Sequence, residues 1–315
     1  MASTVDAHSA DLSRNLLDTL DKLAGGVHAG HRPAHAKGIM FSGVFRPSRE
    51  AATLTRAPHA HRETTPVTVR FSDATGLPTI PDNDPAKSGP RGIAIRFHLA
   101  EHVHTDIIGH STNGFPTRTA EEFLEFLRAA AASGPDAPKP TPIEKFVGAH
   151  PNALKFVTTP KPIPTSFARE AFFGVNAFKF TSQDGPSKYG RFRIRPEAGT
   201  EYLDAGGVAA KSANFLMDEI VERVARGPVK FQVVVQIAGS GDVVDDASVA
   251  WPDDRPQLDF GTITLNARVA NDESEQRRII FDPIPRVDGI ESSGDPLLEP
   301  RAALYLASGR RRRKA

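Results

Sequence analysis

The 315 residues include no cysteine, one tryptophan, three methionines and three tyrosines. Without thiols there is no disulfide framework, cysteine-ligated zinc, iron–sulfur cluster, thiolate-bound or covalently attached c-type haem, and no cysteine nucleophile. Any redox chemistry must run on other ligands. No apolar run approaches the ~18–20 residues of a membrane span, and residues 1–8 lack a basic stretch leading into an apolar one, so a soluble, cytoplasmic protein is expected. GxSxG, Walker, GxGxxG and HExxH patterns are all missing, which removes the common motif-readable enzymes.

Net charge is close to balance, at +1, but five basic residues crowd the last six positions (Arg310 to Lys314). The body therefore carries an acidic excess and is no nucleic-acid surface, and the tail reads first as a solvated end. At ~150 residues per domain the length allows one large domain or two small ones. No composition break marks a second domain, so the expectation is an N-terminal helical segment over 1–26 and a single domain over 27–315.

The spacing of Leu12, Leu16, Leu17, Leu20 and Leu23 predicts a helix over 11–25, stopped by Gly25-Gly26. Short β-like runs follow at 67–72, 92–98, 105–109, 177–182, 189–195, 229–237, 258–265 and 278–281. Helices are expected after Thr119, whose partner Glu122 completes a capping-box pattern, and over 212–226, ended by Gly227. The proline-rich stretch 133–165 reads as a wrapping connection resistant to regular structure. Eight strands in mostly hairpin order, with few crossover helices, give an α+β fold: an antiparallel β-barrel with appended helices.

All eleven histidines lie between His8 and His150. His98, His102, His104 and His110 suggest a zinc cluster at first sight, but no second group of ligands accompanies them, so surface or supporting roles are expected. The more specific signal is Arg32-Pro-Ala-His35-Ala-Lys-Gly38 followed by Val69-Arg70-Phe71-Ser72. Further along come Pro90-Arg91-Gly92, then Asp106-Ile-Ile-Gly109 with Thr112 and Phe115. Near the C-terminus stand Val249-Ala-Trp251-Pro252, Gly261 to Asn266, Phe281-Asp-Pro283, Gly289-Ile-Glu291, Asp295 and Arg301-Ala-Ala-Leu-Tyr305. In order and spacing this set resembles the haem catalases, and in its short length the small catalase-related peroxidases (mini-catalases).

That resemblance implies haem b, held by Tyr305 as the iron ligand. A phenolate is the strongest donor left to a chain without cysteine; a phenol's reference pKa is about 10, so its ionisation calls for the iron and a nearby cation. Arg301, one helical turn earlier, is the candidate cation. On the opposite face His35 is the proton shuttle for O–O cleavage, oriented by Ser72. Arg32, Arg70 and Arg312 match arginines that pair with the haem propionates, and Phe115, Phe123 and Phe281 would pack the cofactor and its approach.

The sequence departs from the family where an asparagine usually stands beside the peroxide: here it is His110, either donating in its place or turned elsewhere. With Asn176 where a histidine of the nicotinamide-binding region commonly stands, no NADPH is expected. The resulting expectation is a haem peroxidase that reduces hydrogen peroxide and organic hydroperoxides with a small-molecule reductant, through a ferryl intermediate. A true catalase, an isomerase of lipid hydroperoxides and a haem-binding protein without turnover are the alternatives. No nucleic-acid or membrane partner is expected; the oligomeric state is left open, a homodimer included.

Overall fold

Ten strands and nine helices are built by residues 4–315, which the computed structural model describes, with side chains described from residue 9 onward. The strands are β1 (Gly38–Pro47), β2 (Thr65–Ser72), β3 (Gly92–Ala100), β4 (Val103–His110), β5 (Phe172–Phe173), β6 (Phe178–Thr181), β7 (Ser187–Pro196), β8 (Val229–Ile237), β9 (Gln257–Arg268) and β10 (Ile290–Ser292). The helices are α1 (Thr4–Leu23), α2 (Ala51–Leu54), α3 (Ala120–Ala131), α4 (Pro142–Ala149), α5 (Pro151–Thr158), α6 (Ala205–Ala209), α7 (Phe215–Arg226), α8 (Asp272–Arg278) and α9 (Leu298–Arg313). Every strand pairing is antiparallel. Pairing runs β5-β4-β3-β2-β1-β9-β8, and β7 closes the ring by bonding both β8 and β5. β6 continues β5 along the same side of β7, giving an eight-strand barrel on which β10 adds an edge.

The expected barrel is thus present, with local differences. β1 was not expected; Gly38 and Gly43 blur its alternation, yet it joins β2 to β9 and closes the barrel. Residues 278–281 are no strand: the end of α8 and an extended connection take their place. α1 starts earlier than its leucine stripe indicates, at Thr4. The proline-rich stretch does form regular structure. Pro142 and Pro151 each open a helix at the position where a missing N–H costs nothing, and Thr141 with Glu144 makes a capping box like that of Thr119 with Glu122. The basic tail is the last turn of α9 rather than a loose end: Arg311 pairs with Asp21 of α1, and Arg313 donates to the Arg278 carbonyl.

Phenylalanine fills the barrel. Phe41, Phe45, Phe71, Phe97, Phe172, Phe180, Phe192, Phe231 and Phe260 form one buried cluster of tilted and edge-to-face rings, each ring worth ~1.5–3 kcal/mol of burial. An eight-strand barrel can hold side chains or one small ligand; here the phenylalanines fill it, and the cavity lies outside its wall. The two-residue period of the strands divides the labour. Val69, Phe71, Ile95 and Ile107 enter the core, while Arg70, Ser72, Gly92, Ala94, Ile108 and His110 line a cavity on the outer face. That face is covered by a second apolar cluster in which Leu12 and Leu16 of α1, Leu124 and Leu127 of α3, and Leu297 at the start of α9 pack together.

In register, Ser72 lies opposite Gly92 and Gly92 opposite His110, one row across three strands. The central position must be glycine: a Cβ on residue 92 would sit 2.6 Å from Ser72 Oγ and 2.7 Å from His35 Nδ1. A Gly92→Ala substitution is expected to push His35 off Ser72, lower stability by about 1–3 kcal/mol and bring the His35 titration closer to that of a free imidazole. Denaturant unfolding and NMR titration of the ring measure both, and unchanged values would contradict this packing.

Inside the barrel, burial beside Phe45, Phe97 and Phe260 pulls His59 down to about 3. The folded ring stays neutral while the unfolded one gains a proton below pH ~6.5. Its contribution to stability is complete above that pH and is lost as pH falls toward the folded value, about 2 kcal/mol being gone by pH 5. Urea unfolding of His59→Phe should therefore show about 2 kcal/mol less loss between pH 7 and pH 5 than the parent; an equal loss would contradict the buried neutral ring.

Candidate active site

A cavity of about 230 Å³ lies outside β2, β3 and β4 and opens outward to solvent. All eleven residues singled out in the sequence line it: Arg32, His35, Arg70, Ser72, His110, Phe115, Phe123, Phe281, Arg301, Tyr305 and Arg312. Of the histidines tested as a zinc cluster only His110 reaches it. His98 bonds Thr68 and His102 is exposed, and among the described residues no three His, Asp or Glu side chains gather to hold a metal. A metal here would have to arrive with most of its ligands already supplied.

One wall carries His35. Its loop is tied to the segment after β2 by His35 N–H to the Ala74 carbonyl and Ala36 N–H to the Thr75 carbonyl, both 2.9 Å. The residue is forced into the left-handed region, at φ +55°, a conformation that costs a non-glycine residue energy and is kept where the surroundings over-determine it. Nδ1 meets Ser72 Oγ at 3.1 Å, leaving Nε2 for the cavity. Burial, reinforced by Arg70, Arg32 and Arg301, pulls the ring down to about 4. It is therefore a neutral imidazole at neutral pH, able to take up a proton and return it.

Behind this loop lies a polar network that sequence reasoning missed. Arg91 is buried against Asp73 and donates to the Ser88 and Asp82 carbonyls at 3.0 and 2.6 Å. Lys37 pairs with Asp82 at 2.5 Å, and Asp82 in turn caps α7 by accepting from Leu216 N–H at 2.7 Å. Since Lys37 and Asp73 flank His35 and Ser72 in sequence, the network fixes both strands of the His35 wall.

The opposite wall is α9. Arg301 donates to Tyr305 Oη at 3.2 Å across one helical turn and also to Asn176 Oδ1. Asn176 donates to Asp295 at 2.7 Å, and Asp295 accepts from Leu297 N–H at the start of the helix. Asn176 therefore belongs to the chain of contacts that holds Tyr305. Its part was not readable from sequence, because the contacts span more than a hundred residues.

Three guanidiniums stand between the walls. Arg32 and Arg312 both donate to the Ile279 carbonyl, at 3.2 and 2.9 Å; Arg312 also reaches Ser308, and its Nε has no partner among the described residues. Arg70 donates to Gln276 and to the His35 and Ala36 carbonyls. None of the three forms an ion pair among the described residues. Burial holds all of them below the usual arginine value, Arg70 at about 9 and Arg312 at about 10; neighbouring arginines add to it, Arg70 and Arg312 at Arg32, Arg312 at Arg70, and Arg313 with Arg311 at Arg312, while Asp272 opposes it at Arg32 and Arg70. Buried cations without counter-ions mark a place for anions brought by a ligand. Phe115, Phe123, Phe281, Leu16 and Leu20 line the rest of the cavity. A planar apolar molecule carrying two carboxylates, with a metal able to accept the Tyr305 oxygen, fits this donor set.

Comparison with known proteins agrees with the geometry. Residues 24–314 match the family model described as "Catalase". The chain is 34% identical over 287 residues to the "Catalase-related peroxidase" of Mycolicibacterium paratuberculosis (strain ATCC BAA-968 / K-10), covering 90% of each protein. It is likewise 34% identical to that of Synechococcus elongatus, covering 90% of this chain and 84% of the relative. Among solved structures, a fungal catalase superposes with a TM-score of 0.78 at 20% identity over 94% of this chain, which spans 62% of that structure's length. With the family model covering all but the N-terminal helix and the barrel matching in three dimensions, the chain belongs to the catalase family.

Proposed function

We propose that the protein is a haem-dependent peroxidase, reducing hydrogen peroxide and organic hydroperoxides with electrons from an external small molecule. Membership of the catalase family makes it an oxidoreductase of peroxide; the haem b, the reductant and the residue roles are the finer reading. The observation that carries it is the set of three cavity guanidiniums, none with a direct ion-pair partner among the described residues, placed between a neutral histidine wall and a tyrosine wall.

In this reading Arg32, Arg70 and Arg312 take the two propionates, and Tyr305 ligates the iron with Arg301 beside its oxygen. Bound there, iron protoporphyrin supplies the two-electron redox change that the side chains themselves lack. His35 Nε2 accepts the peroxide's proton and passes it to the departing oxygen, so that water or an alcohol leaves rather than hydroxide or alkoxide. Ser72 holds the ring through Nδ1 so that the lone pair stays on the cavity side. Phe115, Phe123 and the α1 leucines exclude water from the reacting centre.

Haem added to the full-length protein should produce a Soret band and raise the melting temperature. Tyr305→Phe should shift that band or abolish it. His35→Ala should keep the haem but lose about 10²–10⁴ in peroxide turnover. Absence of a Soret band in the parent, or normal binding and turnover in Tyr305→Phe, would overturn the proposal.

A further inference from the structure

Arg310 to Arg313 form the last turn of α9 and Lys314 caps it, yet of this basic run only Arg312 lines the cavity. The chain leaving α8 determines where the others stand. Its three consecutive carbonyls each receive a guanidinium: that of Arg278 from Arg313 at 3.0 Å, that of Ile279 from Arg32 and Arg312, and that of Ile280 from Arg96. Arg96 is neutralised by Asp106, and Arg32 and Arg312 line the cavity, whereas Arg313 is exposed. A line of cations thus runs from the cavity to the surface along one stretch of backbone. Arg310 stands one turn before Arg313 and Lys314 one residue after it, both exposed. At this end of the two helices Arg277, Arg278 and Arg311 pair with Glu273, Glu275 and Asp21. Arg310, Arg313 and Lys314 meet no carboxylate among the described residues. The dipole of α9 offsets only about half a charge of this excess.

We propose that this cationic lip, formed by Arg310, Arg313 and Lys314, is the docking site of a small anionic reductant, a carboxylate- or enolate-bearing one-electron donor that serves the peroxidase from the arginine side of the cavity. The inference deepens the peroxidase reading above and rests on it. Arg32 and Arg312, which take the propionates in that reading, share the carbonyl next to the one that holds Arg313. An anion drawn to the lip is therefore held beside the groups that bind the cofactor's carboxylates, and the His35 wall is left to the peroxide. Each donor, AH⁻, gives up one electron and one proton. The balance is ROOH plus two AH⁻ giving ROH, H₂O and two radical anions A•⁻: the O–O bond breaks, the hydroperoxide gains two electrons, and both protons end in the alcohol and the water. The size of the donor follows from the charge distribution. Outside this run the chain carries an acidic excess, so a polyanion such as nucleic acid, reaching beyond the lip, is repelled, whereas one small anion stays within it. Exposed charges of this kind raise the local concentration of an anion and lose that effect as salt screens them.

The test uses the haem-loaded, full-length protein with an alkyl hydroperoxide, ascorbate as the anionic probe and hydroquinone as the neutral one, all rates taken per bound haem. In the parent, kcat/KM for ascorbate relative to hydroquinone should fall several-fold from about 0.01 M to about 1 M salt. Reversing both free charges, in the double variant Arg310→Glu, Lys314→Glu, should lower that ratio about tenfold at low salt and remove most of its salt dependence. The charge-conserving pair Arg310→Lys, Lys314→Arg should keep the parent ratio. An unchanged ratio on reversal, or an equal loss in the charge-conserving pair, overturns the proposal. A second readout needs no turnover: the resting ferric protein should broaden the proton resonances of ascorbate, and the reversed pair should broaden them several-fold less; equal broadening overturns the docking site. A parent chain that takes up no haem defeats the peroxidase reading and this inference together. A haem-loaded parent that oxidises both donors without charge dependence defeats the docking site alone.

Discussion

Three arginines held close together with no direct carboxylate partner among the described residues, only the nearby charges of Asp272 on Arg32 and Arg70 and of Asp73 on Arg70, set the terms for everything around the cavity. Arg32 and Arg312 share one peptide carbonyl, that of Ile279, and Arg70 relies on Gln276 and two backbone oxygens. These neutral acceptors orient the guanidiniums without satisfying their charge. A dianionic ligand would resolve the conflict and, by binding only the folded chain, add its affinity to the stability of the fold. Cofactor capture and folding are then one free energy seen from two sides.

The rest of the architecture follows from keeping that cavity separate from the core. Packing the barrel with phenylalanine leaves no room inside, and the alternation along β2, β3 and β4 sends every second residue to the outer face. One wall of the cavity is thereby as rigid as the barrel itself, which suits a proton-transfer group that must hold its geometry. The other wall is a helix, and its tyrosine is positioned through a chain of contacts ending at Asp295, an anchor at the helix's own N-terminal end.

Much of this was legible in the sequence, because the residues that touch a ligand sit in short ordered motifs: Arg32 with His35, Arg70 with Ser72, Arg301 with Tyr305. What escaped was whatever depends on distant partners. Gly92 stood in a recognised motif, yet the need for glycine appears only when three strands are set in register. The part of Asn176 in holding Tyr305 escaped because its contacts to Asp295 and Arg301 cross 119 and 125 residues. β1 escaped because its glycines weaken the alternating pattern, and α4 and α5 because proline was read as a breaker where it serves as a first helical residue. Which ring nitrogen of His110 accepts was undecidable until the Thr112 N–H was seen beside Nδ1.

The carbonyl of Ile279 gathers an arginine from near the start of the chain and one from its last turn of helix. During synthesis the barrel strands can all have emerged before α9 exists, and such a nascent chain has neither Tyr305 nor Arg312. The cavity therefore cannot be completed until α9 has been made, and its closure rests on contacts of long sequence separation. A chain stopped short of Arg301 could build much of the barrel and still be unable to capture a cofactor. Occupancy of the cavity then reports that the chain through α9 has been made and folded.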